Sequence, residues 1–567
     1  MPKSYTVGDL KPLVGQESII IKEGHEWKEL RKRFNPGFAP AHLMGLLPVV
    51  TDKVWTFMRL LERVADAEDK VVKLDKLTQG LTVDVIGEVV MEVDVGAQEE
   101  LLARPDLGED YVAAAAAADE EEDHDDHDDD RLFGVQGQGD QDHDDGKEEK
   151  GQMSNFTKIY YRLITSYAED GKPPIEWLQM LTKPFGRRRR QYLAQKVDTF
   201  LQKFVQRKHL EEFRSLQSLS SQTSHPSSHP SSHQFPKTGK PPKSRSILSL
   251  SLSDQTTTPH LPPKILSQTS DALKTFLFAG HDTTAILIGW VVYYLSICPR
   301  AHSRVTSELD SIFGPGASPA EIRAQLSGPE GPEKLNKMVY THAVIKEALR
   351  LHPPAGTARR AEPGSGFVVR EPAAASFTGQ EKGVHGNGNG RAGAGGGGGG
   401  EWLLDGMVLY NCATIIHRDP EVYGQKMKDE FWPERWLSSE SSFPFPHSYT
   451  SSHSSENGSG EKMREQEIPA GAWRPFERGP RDCIGRDLAI IETKVVVALV
   501  HGRYKFVKVG LGEKVLLSEE QEPVVDGTGC CVVKEKLYTR RQVTARAADG
   551  MRMKVRLAKG VVGGLEG

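Results

Sequence analysis

One cysteine, Cys483, stands inside the run Phe476-Glu477-Arg478-Gly479-Pro480-Arg481-Asp482-Cys483-Ile484-Gly485. The apolar residues Leu488, Ile491, Val495 and Leu499 recur at helical spacing just after it, so its sulfur is expected near a helix N-terminus. Free backbone N–H groups and the partial positive charge there favour the thiolate, the form that binds iron. Arg481 adds a further positive charge. Gly479 and Gly485 let the chain turn tightly and approach a flat ring system without a Cβ in the way. Phe476 can pack beside the sulfur and limit water, one of the ways in which a protein tunes haem iron. A lone cysteine is more often a small buried hydrophobe. The Phe, Gly, Arg and Gly at fixed positions around Cys483 select the haem-thiolate reading instead.

Three other groups of residues could do chemistry or hold such a site. The apolar segment Leu273 to Ile297 is interrupted by Ala279-Gly280-His281-Asp282-Thr283-Thr284. An acid and an alcohol side by side in such a helix are costly to bury unless they bond to each other, to backbone or to water. A threonine hydroxyl can also capture a backbone carbonyl and loosen the helix. In Glu347-Ala348-Leu349-Arg350 the acid and the base are three residues apart, on one helical face, and can pair. The same spacing recurs at Glu211 to Arg214 and Glu461 to Arg464, in polar surroundings, where it reads as accidental. Trp27 and Arg31 are one helical turn apart, followed by Arg33-Phe34-Asn35-Pro36-Gly37-Phe38.

Taken in order, these motifs resemble those of the cytochrome P450 monooxygenases, and the resemblance runs from Trp27 to beyond Gly485. Ala472-Trp473-Arg474-Pro475 and the stretch Leu30 to Leu43 are most similar to fungal secondary-metabolism members of the sterigmatocystin-pathway kind. The resemblance implies haem b ligated by Cys483. It implies Asp282 and Thr283 as the acid and alcohol that deliver protons at the oxygen-binding face. Trp27, Arg31 and Arg481 are candidates to reach haem propionates, as is Arg359, with which Arg360 competes. Pro433-Glu434-Arg435-Trp436 supplies a second arginine, so that Glu347, Arg350 and Arg435 form a buried polar cluster beneath the haem, with a structural role. A carboxylate shared by guanidinium groups has its charge offset by bidentate bonds.

The implied activity is insertion of one oxygen atom of dioxygen into an apolar organic substrate. Electrons are expected from NADPH through a separate NADPH–cytochrome P450 reductase, since the sequence shows no flavin or nicotinamide fingerprint. The alternatives are a haem-thiolate isomerase or dehydratase, or an inactive truncated fragment. Nucleic acid is not an expected partner.

The elements that must position these residues are mostly helical. Periodicity predicts helices over Trp27 to Leu43, Val49 to Glu68, Leu77 to Val90, Gln191 to Phe213, Leu273 to Ile297, Tyr340 to Leu351 and Leu488 to Val500. Short strands are expected at Gly366 to Val369, Trp402 to Tyr410 and within Val532 to Leu557. The expected fold is therefore mostly α with small β-sheets, the cytochrome P450 fold, incomplete at the N-terminus. Only twenty-six residues precede Trp27, too few for the anchor, hinge and first strands of the family. They hold no apolar run of the roughly twenty residues that span a bilayer. The chain is read as N-terminally truncated, its full-length form belonging to the cytosolic face of the endoplasmic reticulum and attached there only through the missing anchor, with no transmembrane segment in the present chain.

The 567 residues are expected to form a single domain enlarged by low-complexity insertions at about 98–152, 215–263, 363–401 and 438–468. The run Asp119 to Asp130 is acidic apart from His124 and His127, and it accounts for the net charge of −6, the rest of the chain being slightly basic. It reads as a solvated loop and not as a metal site. Ser215 to Pro263, Gly383 to Gly400 and Ser438 to Gly460 read as flexible surface loops. The glycine run lacks the Lys-Ser/Thr of a phosphate loop. Cys298, Cys412, Cys483, Cys530 and Cys531 suggest no disulfide framework, and a reducing compartment fits them.

Overall fold

A computed structural model describes residues 3–67, 69–104, 156–164, 166–167, 176–222, 246–255, 258–370, 401–437, 468–469, 471–517, 522–541, 543–558, 560 and 565. The acidic run, the glycine run and the serine-rich tract 438–460 lie outside the described residues. Two compact units are present: a smaller one of Met1–Asp9 with Gly356–Cys412, and a larger one of Leu10–Ala355 with Ala413–Gly567.

The larger unit is built on helices. Those that carry or flank the candidate site are α1 (Gly24–Phe34), α2 (Leu47–Asp66), α3 (Leu74–Met91), α4 (Glu176–Gln222), α5 (Pro263–Ile297), α6 (Pro299–Phe313), α7 (Val339–Leu351) and α8 (Arg486–Val500). The first expected helix, Trp27 to Leu43, is instead broken. Pro36, Gly37 and Pro40 turn the chain through a 3-10 segment, Asn35–Phe38, before a short helix, Pro40–Gly45. The apolar segment around Asp282 begins ten residues earlier than expected and forms the 35-residue α5. Among the described helices α5 is long and apolar enough to cross a bilayer. Burial inside the protein of 78% of its apolar window makes it a core helix.

Helix α5 packs most intimately on α3. Thr78 donates its hydroxyl to the Ala285 carbonyl (3.3 Å), and Thr82 donates to the His281 carbonyl. A Cβ at Gly280 would lie 2.8 Å from the end of the Ile86 side chain, which would have to shift to make room for it. Around this pair, Leu81, Val85, Val89, Leu273 and Ile288 are buried, and α8 contributes Val495, Ala498 and Leu499 to the same core.

A three-stranded antiparallel sheet of the larger unit has the order β1 (Val71–Lys73), β9 (Arg552–Leu557), β6 (Tyr504–Lys508), with Val72 opposite Met553 and Phe506 opposite Val555. The hairpin β7 (Thr539–Arg541) and β8 (Ala545–Ala547) lies within the expected C-terminal strand region. In the smaller unit β2 (Thr357–Arg360) pairs with β5 (Val408–Asn411), and β3 (Val368–Arg370) with β4 (Glu401–Leu403). The expected strand Trp402 to Tyr410 is thus two strands. Gly406, at φ +73, makes the turn between them, and the Asp405 carboxylate accepts from the Gly364 and Gly366 amides.

Two further expectations are corrected. The edges of the supposed insertions carry packed elements. Ala97–Ala103 is a helix whose first amides, of Ala97 and Gln98, are held by the buried Asp84 carboxylate at 2.7 and 3.0 Å. Ile247–Leu252, inside the Ser215 to Pro263 tract, is a buried helix capped by Ser246, because its Ile247, Leu248 and Leu252 share one apolar face. The cysteines are not all free either. Cys298 and Cys530 form a disulfide with Cα atoms 3.9 Å apart. The Cys531 amide donates to the Ile297 carbonyl at 2.6 Å, which lays the two distant segments side by side.

Candidate functional site

Cys483 sits three residues before the start of α8, at the end of a tight loop whose closing bond runs from the Cys483 amide to the Phe476 carbonyl (2.9 Å). Gly479 takes φ +82 and so needs to be glycine, and Glu477 is also left-handed at φ 58. Gly485 has φ −89 and needs no such freedom; the expectation that both glycines make the turn holds for Gly479 alone. A Cβ on either glycine would meet no atom within 4 Å, so that side of the loop is open.

The Cys483 residue is exposed by surface area, yet protein atoms crowd its sulfur enough that burial pushes the thiol up from its ordinary value. The two facts together describe a sulfur that can be reached inside a recess. Opposing the upward shift are the Gly485 amide and the charges of Arg31 and Arg486. The expected thiolate-favouring groups are therefore in place, but desolvation outweighs them for the titrating thiol. Ligation deprotonates a thiol outright.

Helix α1 is tied to this loop twice. Arg31 donates to the Asp482 carbonyl (2.8 Å) and to its carboxylate (2.9 Å). Arg481 donates to the Lys22 carbonyl (3.0 Å) and lays its guanidinium 4.4 Å from the centre of the buried Trp27 ring. The structure thus gathers Trp27, Arg31, Arg481 and Cys483, residues up to 456 positions apart in the sequence. Asp482, which fixes Arg31, is missing from the expected site although it lies inside the motif. Arg359 and Arg360 belong to strand β2 of the smaller unit, where they pair with Leu409 and Val408.

Below the loop in the chain's own connectivity, the polar cluster around Glu347 is complete. Glu347 and Arg350 are both fully buried, and Arg350 donates two bonds to the Glu347 carboxylate at 2.9 and 2.8 Å. Arg435 adds a third at 3.1 Å, the Trp436 indole a fourth at 2.9 Å and the Trp432 amide a fifth at 2.9 Å. Arg350 spends its remaining donors on the carbonyls of His417, Lys428 and Glu430. The Cys483 loop is seated against this cluster through Trp473, which donates to the Lys346 carbonyl (3.1 Å) and packs edge-on against Trp436 and Phe476. The His417 ring completes the contact by accepting from the Arg474 amide at 2.9 Å.

On α5, neighbouring residues face different surroundings. Ala279 is exposed and Gly280 and Thr283 are half-buried, an accessible notch in a helix that is otherwise mostly buried. The Thr283 hydroxyl donates to the Ala279 carbonyl at 2.8 Å. Asp282, next to it, is buried and fully engaged. Its Oδ1 accepts from Gln79 (2.8 Å) and pairs with Arg546 (2.7 Å), and its Oδ2 accepts from Thr544 and from Arg546 Nε (3.3 Å). Burial works to raise the Asp282 carboxyl, but Arg546 and its other partners hold it below its ordinary value. Acid and alcohol therefore do not bond to each other. Gln79, Thr544 and Arg546 carry no signal in the sequence, because Asp282 and Arg546 are 264 positions apart.

Helix α8 contains a further buried acid, Glu492, with one oxygen meeting no hydrogen-bond partner among the described residues. Burial alone pushes its carboxyl from an ordinary 4.5 up to about 8. The folded state then holds this proton more tightly than the unfolded chain does, so stability is greatest below about pH 4.5 and falls as pH rises toward about 8. Glu492→Gln is expected to remove this loss, raising the thermal midpoint by several degrees at pH 8 and little at pH 5. Melting curves at the two pH values check it, and an equal shift at both would refute the assignment.

Comparison with known proteins identifies the family and the fold. Residues 144–363 and 404–525 match the family model for cytochrome P450. Two fungal proteins are similar over most of the chain. Cytochrome P450 monooxygenase acrF of Aspergillus aculeatus is 26% identical over 503 residues, covering 88% of this chain and 76% of its own length. Cytochrome P450 monooxygenase polC of Polytolypa hystricis is 26% identical, with 87% and 65% covered. The chain thus spans about two thirds to three quarters of the length of these relatives. A crystal structure of the cytochrome P450DA heme domain matches the fold at a TM-score of 0.56 and 15% identity, covering 98% of this chain and 82% of that one. The chain belongs to the cytochrome P450 family, and with these relatives to its oxygen-incorporating oxidoreductases. The family implies a haem held by a cysteine thiolate, and its members draw on redox partners. In bifunctional relatives such as ALT2 of Alternaria alternata, the P450 and an NADPH–P450 reductase share one polypeptide.

Proposed function

We propose that this chain is a haem-thiolate monooxygenase of fungal secondary metabolism that inserts one oxygen atom of dioxygen into an apolar organic substrate. The observation that carries the reading is the reachable Cys483 sulfur in its recess, with the Gly485 amide on it and Arg31 and Arg481 beside it. These residues fit haem b. The open side of the Gly479 and Gly485 backbone leaves room for a ring system, and the donor set is that of an iron thiolate. Cys483 would ligate the iron, with Phe476 beside the sulfur, and Trp27, Arg31 and Arg481 are the propionate candidates of the larger unit. Bound there, the haem supplies the oxygen-activating chemistry. The Glu347, Arg350 and Arg435 cluster braces the loop that carries the ligand. Both compact units belong to one catalytic domain in this reading.

Thr283 would present its hydroxyl at the accessible notch of α5 and hold a proton there for the reaction. Asp282 would deliver that proton only on leaving Arg546, since all its acceptor positions are occupied and its carboxyl is held ionised. Thr283→Ala is expected to leave haem binding intact while product per NADPH falls roughly tenfold to a hundredfold and hydrogen peroxide rises in compensation. Retained coupling would overturn the role of Thr283.

Electrons would come from NADPH through a separate flavoprotein reductase. The protein would work at the cytosolic face of the endoplasmic reticulum; subcellular fractionation of the native protein tests that part. The accessible Thr283 favours oxygen insertion over a haem-thiolate isomerase or dehydratase, which needs no proton delivery to dioxygen. The deciding experiment supplies haem, reductase and NADPH and measures whether NADPH and dioxygen are consumed in step with product. Turnover without either would replace the proposal by the isomerase reading, and failure to take up haem would mean an inactive chain.

A further inference from the structure

A second cavity lies away from Cys483 and away from the notch of α5. It has a volume of about 390 Å³ and is enclosed by the C-terminal ends of α5 and α8, the start of α6 and strand β6. That size lies within the range of small-molecule sites, roughly 300–1,000 Å³. Its inner wall is apolar, made chiefly by Val292, Leu295, Val496, Val500 and Phe506. Its polar rim is basic. Lys505 and Lys514 line it, together with His302 and His501, whose rings lie 4.2 Å apart.

Among the described residues no aspartate or glutamate lines the cavity. Glu62, which meets the β6 residue Tyr504, already accepts from the Tyr504 hydroxyl (2.8 Å) and from Arg503 (2.7 Å). Among the described residues neither Lys505 nor Lys514 has an ion-pair partner, whereas other lysines of the larger unit, such as Lys274 and Lys508, are paired. Two lysines with no counter-charge among the described residues, beside an apolar wall, are complementary to a ligand with an anionic head and an alkyl body. Taking about 30 Å³, the volume of a water in the liquid, for each methylene-sized unit, the chamber takes a chain of about a dozen carbons.

We propose that this cavity is a binding site for an anionic amphiphile, a carboxylate or phosphate borne on an alkyl chain, separate from the site of oxygen insertion. The head lies between Lys505 and Lys514, and the chain runs inward between α5 and α8. The ligand is either a free amphiphile or the exposed part of an anionic lipid.

The test uses the full chain loaded with haem and a dodecanoate carrying a diazirine at its chain end, followed by irradiation, digestion and mass spectrometry. Because the readout is the position of a covalent label, it separates this cavity from the pocket where a fatty acid would meet Thr283. Saturable labelling is expected on the peptides that hold Val292 to Leu295 and Val496 to Phe506. Dodecyl phosphate should compete for it and dodecanol should not. The double variant Lys505→Glu/Lys514→Glu should weaken labelling there about tenfold or more, and Val500→Trp, which fills the chamber, should block it. Competition by vesicles of anionic phospholipid, lost in the lysine variant, would identify the lipid source; competition by the monomeric amphiphile alone would identify the free one. Labelling that ignores the lysine reversal, or that falls only on other peptides, overturns the proposal.

Discussion

Cys483→Ser abolishes the thiolate-type carbon-monoxide difference spectrum of the reduced protein and reduces product formation to that of a haem-free control. The substitution changes one atom at an exposed residue whose amide, bonded to the Phe476 carbonyl, keeps the loop closed. Substitutions at such positions usually alter stability by no more than about 0.5 kcal/mol, so the far-UV circular dichroism and melting temperature should stay close to those of the parent. What is lost is the sulfur. A serine hydroxyl is far less acidic than a thiol, and a neutral oxygen does not donate electron density to iron as a thiolate does. The contrast between an intact fold and a vanished spectrum is the informative result. A thiolate-type spectrum surviving in the serine variant would mean that another cysteine, such as the half-buried Cys412, holds the iron, and the site described here would be wrong.

Glu347→Ala has the largest expected effect on the fold. The carboxylate accepts from Arg350, Arg435, the Trp436 indole and the Trp432 amide, all within a fully buried setting. Removing it leaves the Arg350 guanidinium buried without its counter-charge. Breaking a buried pair in this way costs about 3–5 kcal/mol. Because Trp436 and Trp473 seat the Cys483 loop on this cluster, haem content should fall together with the thermal midpoint. Arg435→Lys offers the graded comparison. It keeps the charge but not the planar fork that reaches both Glu347 and the Met427 carbonyl, so about 1–2 kcal/mol is expected. Thermal melts and haem stoichiometry of the two variants check the order. If Glu347→Ala melts with the parent and keeps its haem, the cluster does not brace the site.

Several parts of this arrangement were legible in the sequence because they are local. Glu347 and Arg350 share one helical face three residues apart, and Phe476 to Gly485 is a contiguous loop whose residue types carry their own reasons. The apolar run of α5 announces a buried helix. A local signal was also available but unread at Ser318-Pro319-Ala320-Glu321, where Ser318 and Glu321 close a capping box at the start of the helix Pro319–Ser327. The helix α6 shows an amphipathic face in Ala301, Val305 and Leu309 that the polar residues between them obscured.

Other parts had no local trace. Nothing near Asp282 indicates that Gln79, Thr544 and Arg546 converge on it, because Gln79 comes from α3 and the other two from the β7–β8 hairpin, and the contact exists only once α3, α5 and β8 are packed. The pairing of Cys298 with Cys530, 232 positions apart, depends in the same way on the bond between the Cys531 amide and the Ile297 carbonyl. The amphiphile chamber is a gap between helix ends and a strand, which no linear pattern describes.

The sequence by itself determined the chemistry this protein can offer: the cysteine proposed to ligate iron and its loop, the acid and alcohol of α5, and the acid–base pair of α7. Residue type and short-range spacing decide those, through helix periodicity and the acidity of single groups. Only the tertiary structure decided which of these groups are free to act. It locked Asp282 under Arg546, left Thr283 accessible, tied Arg31 to Asp482, and shielded the Cys483 thiol enough to raise its pKa. Burial and the charges of distant residues set protonation and freedom of movement, and both are properties of the packed chain alone.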